Sequence, residues 1–166
     1  MLLAHGFGGS KTSVRAEAVR LAGEGYAVLT WSARGFGRSG GEIALNSPDY
    51  EVKDVRQLID WLARRPEVRL DAAGDPRVGI AGGSYGGAIA LMTAAYDARV
   101  DAIVPQITWY DLADALFPNA AGGGPEGGVF KRMWAGLFFS RGAPDTGGER
   151  GAAALGALTT PRGSAR

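Results

Sequence analysis

Short apolar runs bounded by turn residues alternate along this chain with stretches of helical period. Runs that read as buried strands lie at residues 2–4, 26–31 (YAVLTW), 77–82 (RVGIAG) and 100–107 (VDAIVPQI). Between the first two, residues 12–22 repeat Val14, Ala18, Leu21 and Ala22 on one helical face. The second helical stretch is better marked. Ser47 is its expected cap, Pro48 fits the first turn, Asp49 and Glu51 sit near the positive helix end, and Val52, Val55, Ile59 and Leu62 recur at helical spacing. A third helix starts directly after Ser84 and runs through Ala88, Leu91, Met92 and Ala95. Strand alternating with helix at these lengths predicts a parallel sheet covered by helices, an α/β fold. After Gln106 the rhythm stops. WYDLADALFP and FKRMWAGLFF read as short helices of a cap, separated by the glycine-rich NAAGGGPEGG, and the Gly- and Ala-rich end reads as a disordered tail. The expected division is a partial core over 1–110, a cap segment over 111–141 and the tail over 142–166.

Composition narrows what such a fold would do. The 166 residues suit one domain, and 46% of them are hydrophobic, enough for an apolar core. Lys and Arg outnumber Asp and Glu by one, in no long block of either sign, so neither a nucleic-acid nor a membrane partner is expected. A small-molecule ester or peptide fits better. The absence of cysteine removes disulfides, thiolate metal sites and a thiol nucleophile together. No metal cluster is seen in the sequence and no cofactor is proposed. Only three apolar residues separate Met1 from His5, too few for a signal-peptide core or a membrane span, so the chain reads as cytoplasmic.

Three glycine motifs compete for the chemistry. Residues 35–40, GFGRSG, match G-x-G-x-x-G after a strand, but GEIALNSP follows where a dinucleotide-binding helix is needed; a flexible loop is the better reading. HGFGGSKT has the lysine and threonine of a phosphate-binding loop, yet His5 and Ser10 stand where that loop needs glycine. The third, Gly82, Ser84 and Gly86 as G-x-S-x-G, lies between a strand and a helix, the context that makes it informative. A nucleophile elbow turns so sharply that side chains beside the serine would collide with the strand and helix. The serine oxygen then stands at a helix N-terminus, where the Tyr85 N–H and the helix dipole favour a developing oxyanion. A second donor is expected from the loop after an earlier strand, here the N–H of Phe7 in HGFGG, with His5 and Gly6 supporting that loop.

LLAHGFGGSK, TWSARGFGRSGGE, DVRQLIDWL, VGIAGGSYGG and VDAIVPQITWYDL, in this order over about residues 2–117, resemble the α/β-hydrolase superfamily. More narrowly the chain is similar to the Xaa-Pro dipeptidyl-peptidase and cocaine-esterase group of serine hydrolases. The resemblance implies a parallel-sheet α/β-hydrolase core with the start of a helical cap. It also implies that Ser84 attacks an ester or amide carbonyl and forms an acyl-enzyme that water resolves. Some members contribute a tyrosine hydroxyl to the oxyanion hole from the early loop; Phe7 and its neighbours have none to offer.

In this superfamily the acid and then the histidine follow the serine. No histidine follows Ser84, and the single one, His5, reads as support for the oxyanion loop rather than as a base. Asp111 and Asp114 follow the last strand and read as cap-helix or surface carboxylates. The expectation is therefore a serine hydrolase by descent with an incomplete triad, a partial core lacking its first and last strands. The alternative is an inactive remnant that binds a ligand or partner in its cleft. A sheet ending at the LLAH strand and at the VDAIVPQI strand would expose apolar edges and self-associate.

Overall fold

The apolar run after Met1 forms β1 (Leu2–Ala4), and the chain continues through α1 (Arg15–Gly23), β2 (Leu29–Thr30), α2 (Glu51–Leu62), β3 (Leu70–Ala72) and β4 (Asp75–Pro76). It then passes into β5 (Val78–Gly83), α3 (Tyr85–Tyr96), β6 (Val100–Gln106) and α4 (Leu112–Leu116). The computed structural model describes residues 1–116 together with 133, 134 and 136. Most of the expected cap segment, and all of the expected tail, lie outside these residues.

Four strands pair in parallel in the order β2-β1-β5-β6. The chain steps outward from β1 to β2, then returns past β1 to β5 and β6. The reversal falls between β1 and β5, and the crevice outside the carboxyl ends of such a strand pair is where ligands bind in open α/β sheets. Register sets Leu2 against Ile80 and Ala4 against Gly82. The expectation that the LLAH strand ends the sheet is corrected here: β2 crosses over to pair outside it, so β2 and β6 are the edges.

One core lies beneath that crevice. Leu2, Ala4, Val78 and Ile80 present a common strand face to Val52, Val55, Ile59 and Leu62 of α2 and to Ile89 and Ala90 of α3. The helical period of α2 therefore marks its buried face, each large side chain on it contributing about 2 kcal/mol of transfer free energy. Arg34 donates to both carboxylate oxygens of Asp54 at 2.7 Å, tying the loop after β2 onto α2.

Three further expectations need correction. Ser47 does not cap α2: its Oγ accepts from the Asp49 N–H at 3.2 Å, and the helix starts at Glu51. The strand expected over 26–31 shrinks to Leu29–Thr30, since at a sheet edge it has a partner on one side only, and Tyr26 is exposed. The first helix starts at Arg15 and buries no residue, because its stripe covers only the edge strand. The antiparallel pair β3–β4 went unread; the three residues of β3 are exposed, so no apolar alternation marks it.

Candidate active site

At the carboxyl end of β5 the chain turns through Ser84 into α3, and the backbone there is strained: Ser84 has φ 54° and ψ −117°. Such a conformation costs a non-glycine residue about 1–3 kcal/mol and persists only where surrounding bonds impose it. Here the Ser84 N–H donates to the Gln106 carbonyl at 2.9 Å, and the Ser84 carbonyl accepts from the N–H groups of Gly87 and Ala88 at 3.0 Å. The flanking glycines are steric necessities. A Cβ on Gly82 would lie 2.6 Å from the Gly86 carbonyl carbon and 2.7 Å from the Ala4 oxygen; one on Gly86 would lie 2.4 Å from that same oxygen. Gly82 and Gly86 thus let α3 descend onto β1 at the point where β1 ends.

The next residues of β1's loop, His5, Gly6 and Phe7, come to the same place. A Cβ on Gly6 would lie 3.7 Å from the Gly83 carbonyl, so this loop runs against the residue preceding Ser84. His5 is buried, 3% exposed, and both ring nitrogens are committed. Nδ1 donates to the Gly6 carbonyl at 2.8 Å and Nε2 accepts from the Ala33 N–H at 3.0 Å, the pattern of a neutral imidazole. The Gly6 carbonyl accepts a second bond, from the Gly9 N–H at 3.0 Å. Because a trans peptide sets its N–H opposite its carbonyl, fixing the Gly6 oxygen fixes the direction of the Phe7 N–H. Tyr85 is the first residue of α3, so its N–H has no partner within the helix.

Beneath these groups lies a polar and aromatic assembly that sequence reasoning missed. Tyr85 is 1% exposed; its hydroxyl donates to Glu51 Oε1 at 3.0 Å and accepts from the Asn46 N–H at 3.2 Å, while Asn46 Nδ2 donates to the Tyr85 carbonyl at 3.0 Å. Burial, and then the Glu51 charge, push the Tyr85 phenol well above its ordinary pKa. Glu51, 3% exposed, also accepts from the N–H groups of Ala44 at 2.6 Å and Ser47 at 3.2 Å. Phe36 is buried against His5, Phe7 and Tyr85, with ring centroids 5.3, 5.2 and 5.4 Å apart. In the 35–40 segment, expected as a flexible loop, Phe36 is buried and the other residues are exposed, and the Gly35 N–H donates to the Gly40 carbonyl at 3.1 Å. An acid in the first turn of α2 was legible, but not that it faces a tyrosine 34 residues away.

Ser84, Tyr85, Gly82, Gly86, His5, Gly6 and Phe7 thus converge at the carboxyl ends of β1 and β5. Asp111 is exposed just before α4, and its carbonyl accepts from the Ala115 N–H at 2.9 Å. Asp114 lies within α4. Among the described residues no helix is long and apolar enough to cross a membrane.

Comparison with known proteins places the chain in a family. Residues 5–159 match the family model described as X-Pro dipeptidyl-peptidase (S15 family). The quorum-quenching protein AidA of Acinetobacter baumannii is 38% identical over 114 residues, covering 67% of this chain and 36% of that protein. An uncharacterized 31.7 kDa protein from the traX-finO intergenic region of Escherichia coli is 31% identical over 112 residues, covering 67% of this chain and 37% of that one. The chain therefore spans about a third of the length of these curated relatives. Among solved structures, acetyl xylan esterase 1 from Thermoanaerobacterium sp. JW/SL YS485 aligns with a TM-score of 0.55 and 23% identity, over 69% of this chain and 41% of that one. At that identity the likeness is one of fold, an α/β-hydrolase sheet.

Proposed function

Because this chain belongs to the X-Pro dipeptidyl-peptidase (S15) family, we propose that it carries the nucleophile and oxyanion site of a serine hydrolase acting on an ester or amide. The observation that supports this reading best is the strained Ser84 turn, held between glycines whose Cβ atoms would strike the backbone of β1 and α3. In the proposed reaction the Ser84 oxygen attacks the substrate carbonyl, and its proton leaves to a base. The carbonyl oxygen becomes an oxyanion at the N-terminus of α3, accepting from the N–H groups of Tyr85 and Phe7. Collapse expels the alcohol or amine, which takes that proton from the base. Water, giving a proton to the same base, then hydrolyses the acyl-serine ester, and the proton returns to the Ser84 oxygen. Preorganised donors of this kind contribute about 3 kcal/mol each to the transition state.

His5 has both ring nitrogens bonded to backbone, Nδ1 to the Gly6 carbonyl and Nε2 to the Ala33 N–H. That observation favours a second reading, in which the cleft binds an ester- or peptide-like ligand without turning it over. Reaction of the purified chain with a fluorophosphonate, followed by mass spectrometry of the Ser84 peptide, separates the two. Labelling that disappears in Ser84→Ala supports the hydrolase. A folded sample that stays unlabelled sinks it and leaves the binding module.

A further inference from the structure

We propose that Glu51, acting with Asn46, is a positioning residue that holds Tyr85 and the Phe7 loop in register so that both oxyanion donors face the same point. The inference rests on the hydrolase reading of Ser84. Three observations carry it. First, Tyr85 supplies a proposed donor from its own backbone while it is held at two other points: its hydroxyl by Glu51 Oε1 and the Asn46 N–H, and its backbone carbonyl by Asn46 Nδ2. Bonds at both hydroxyl and carbonyl hold the Tyr85 side chain and the peptide that follows it, so the α-carbon that carries the donor N–H has little freedom to shift. Second, the Phe7 ring packs edge-on against the Tyr85 ring, with centroids 5.6 Å apart, and Phe36 touches both. One buried tyrosine therefore links the two donors, which come from segments 78 residues apart in the chain. Third, the loop that brings these partners together is strained. Leu45 and Asn46, neither of them glycine, both have positive φ, 53° and 63°. That bend sets the Asn46 N–H on the Tyr85 hydroxyl and the Ala44 and Ser47 N–H groups on the Glu51 carboxylate.

A plain structural role for Glu51 would be to satisfy the N–H groups ahead of α2. It would affect stability and nothing else. The positioning role also affects the donors. The test uses the full chain and a fluorophosphonate, measuring the maximal rate of Ser84 labelling separately from the probe's half-saturating concentration. Amide hydrogen exchange is followed by mass spectrometry over peptides covering 5–9 and 84–88. In Glu51→Ala the maximal rate falls about ten- to hundredfold, as small misplacements of catalytic groups do, while half-saturation stays within about twofold. Glu51→Gln, which keeps one acceptor for the Tyr85 hydroxyl, recovers part of the rate. Tyr85→Phe keeps Glu51 and the ring but removes the bond; it repeats the loss should Glu51→Ala fail to fold. Exchange speeds up in 5–9 and 84–88 and not elsewhere. A folded Glu51→Ala or Tyr85→Phe that labels at the wild-type rate overturns the proposal, as does faster exchange spread evenly over the chain. If the wild-type chain takes no label, the hydrolase reading falls by itself, and the exchange pattern still decides whether Glu51 orders the two segments.

Discussion

Adding one methyl group at Gly86 tests whether the close approach of α3 to β1 is what builds the site. The new Cβ would stand 2.4 Å from the Ala4 oxygen, 2.8 Å from the Ala4 carbonyl carbon and 2.9 Å from the His5 oxygen, where ordinary contact begins at 3.4 Å. The groups it meets are backbone and have no rotamer to yield. Helix and strand must therefore part by about 1 Å, and Ala4 is paired in register with Gly82 of β5. Overpacking of this kind costs about 1–3 kcal/mol, and each strained or lost ladder hydrogen bond adds about 1 kcal/mol. Gly86→Ala should then lose at least about 3 kcal/mol, a large part of a typical domain's 5–15 kcal/mol, with Tm lowered by roughly 10 °C. Gly87→Ala, whose Cβ would meet Thr108 Cβ at 2.9 Å and backbone oxygens at 3.0 and 3.1 Å, should fall between that and neutral. Gly83→Ala, with nothing nearer than 3.9 Å, should be neutral within about 1 kcal/mol. Gly23→Ala, at the end of α1 with nothing within 4 Å, should be neutral or gain up to about 1 kcal/mol. Urea unfolding followed by circular dichroism ranks the four. The reasoning is refuted if Gly86→Ala costs less than 1 kcal/mol, or if Gly83→Ala costs as much.

Two further outcomes test the packing around this site. Thr93 of α3 is fully buried, and its hydroxyl has no hydrogen-bond partner among the described residues; Thr93→Val should gain about 1 kcal/mol in the same assay, and a loss of that size would mean the hydroxyl is satisfied. Asp97, buried after α3, accepts from the Arg99 side chain at 2.9 and 2.7 Å and from the Arg99 N–H at 3.1 Å, with Arg56 3.4 Å away. The Arg99 hydrogen bonds hold its carboxyl below the usual carboxylate range. A depressed folded pKa contributes stability at pH values above the unfolded pKa near 4, and that stability is lost as pH falls through the folded pKa. Asp97→Asn should therefore lower stability at pH 7 and flatten its fall below about pH 4; an unchanged acid limb would show that other carboxylates carry it.

What the sequence made legible was what repeats or what punctuates. The 3.6-residue period of α2 named Val52, Val55, Ile59 and Leu62, and all four are buried in the core. The glycines around Ser84 announced a turn too tight for side chains, and the Cβ distances at Gly82 and Gly86 have that meaning. Long-range polar pairing has no such signature. Glu51 and Asp49 look alike as acids near a helix start, yet Glu51 is buried beneath Tyr85 while Asp49 is exposed beside Lys53. Only the crossover that brings α2 across to α3 distinguishes them. Phe36 was hidden differently, inside a glycine motif whose resemblance to a dinucleotide fingerprint drew the reading away from packing.

His5 shows how one residue can be assigned by its bonds rather than by its type. A histidine on the loop next to the proposed nucleophile invites the role of base, but a base needs a nitrogen that can accept the serine proton. Nε2 is occupied by the Ala33 N–H, and Nδ1 holds the Gly6 carbonyl, the atom that directs the Phe7 N–H. Swinging His5 toward Ser84 would break both bonds and release the peptide that the proposed oxyanion site depends on, so the ring could gain a proton-transfer role only by dismantling the site it would serve. If Ser84 takes a fluorophosphonate, the base that activates it is therefore a group other than His5.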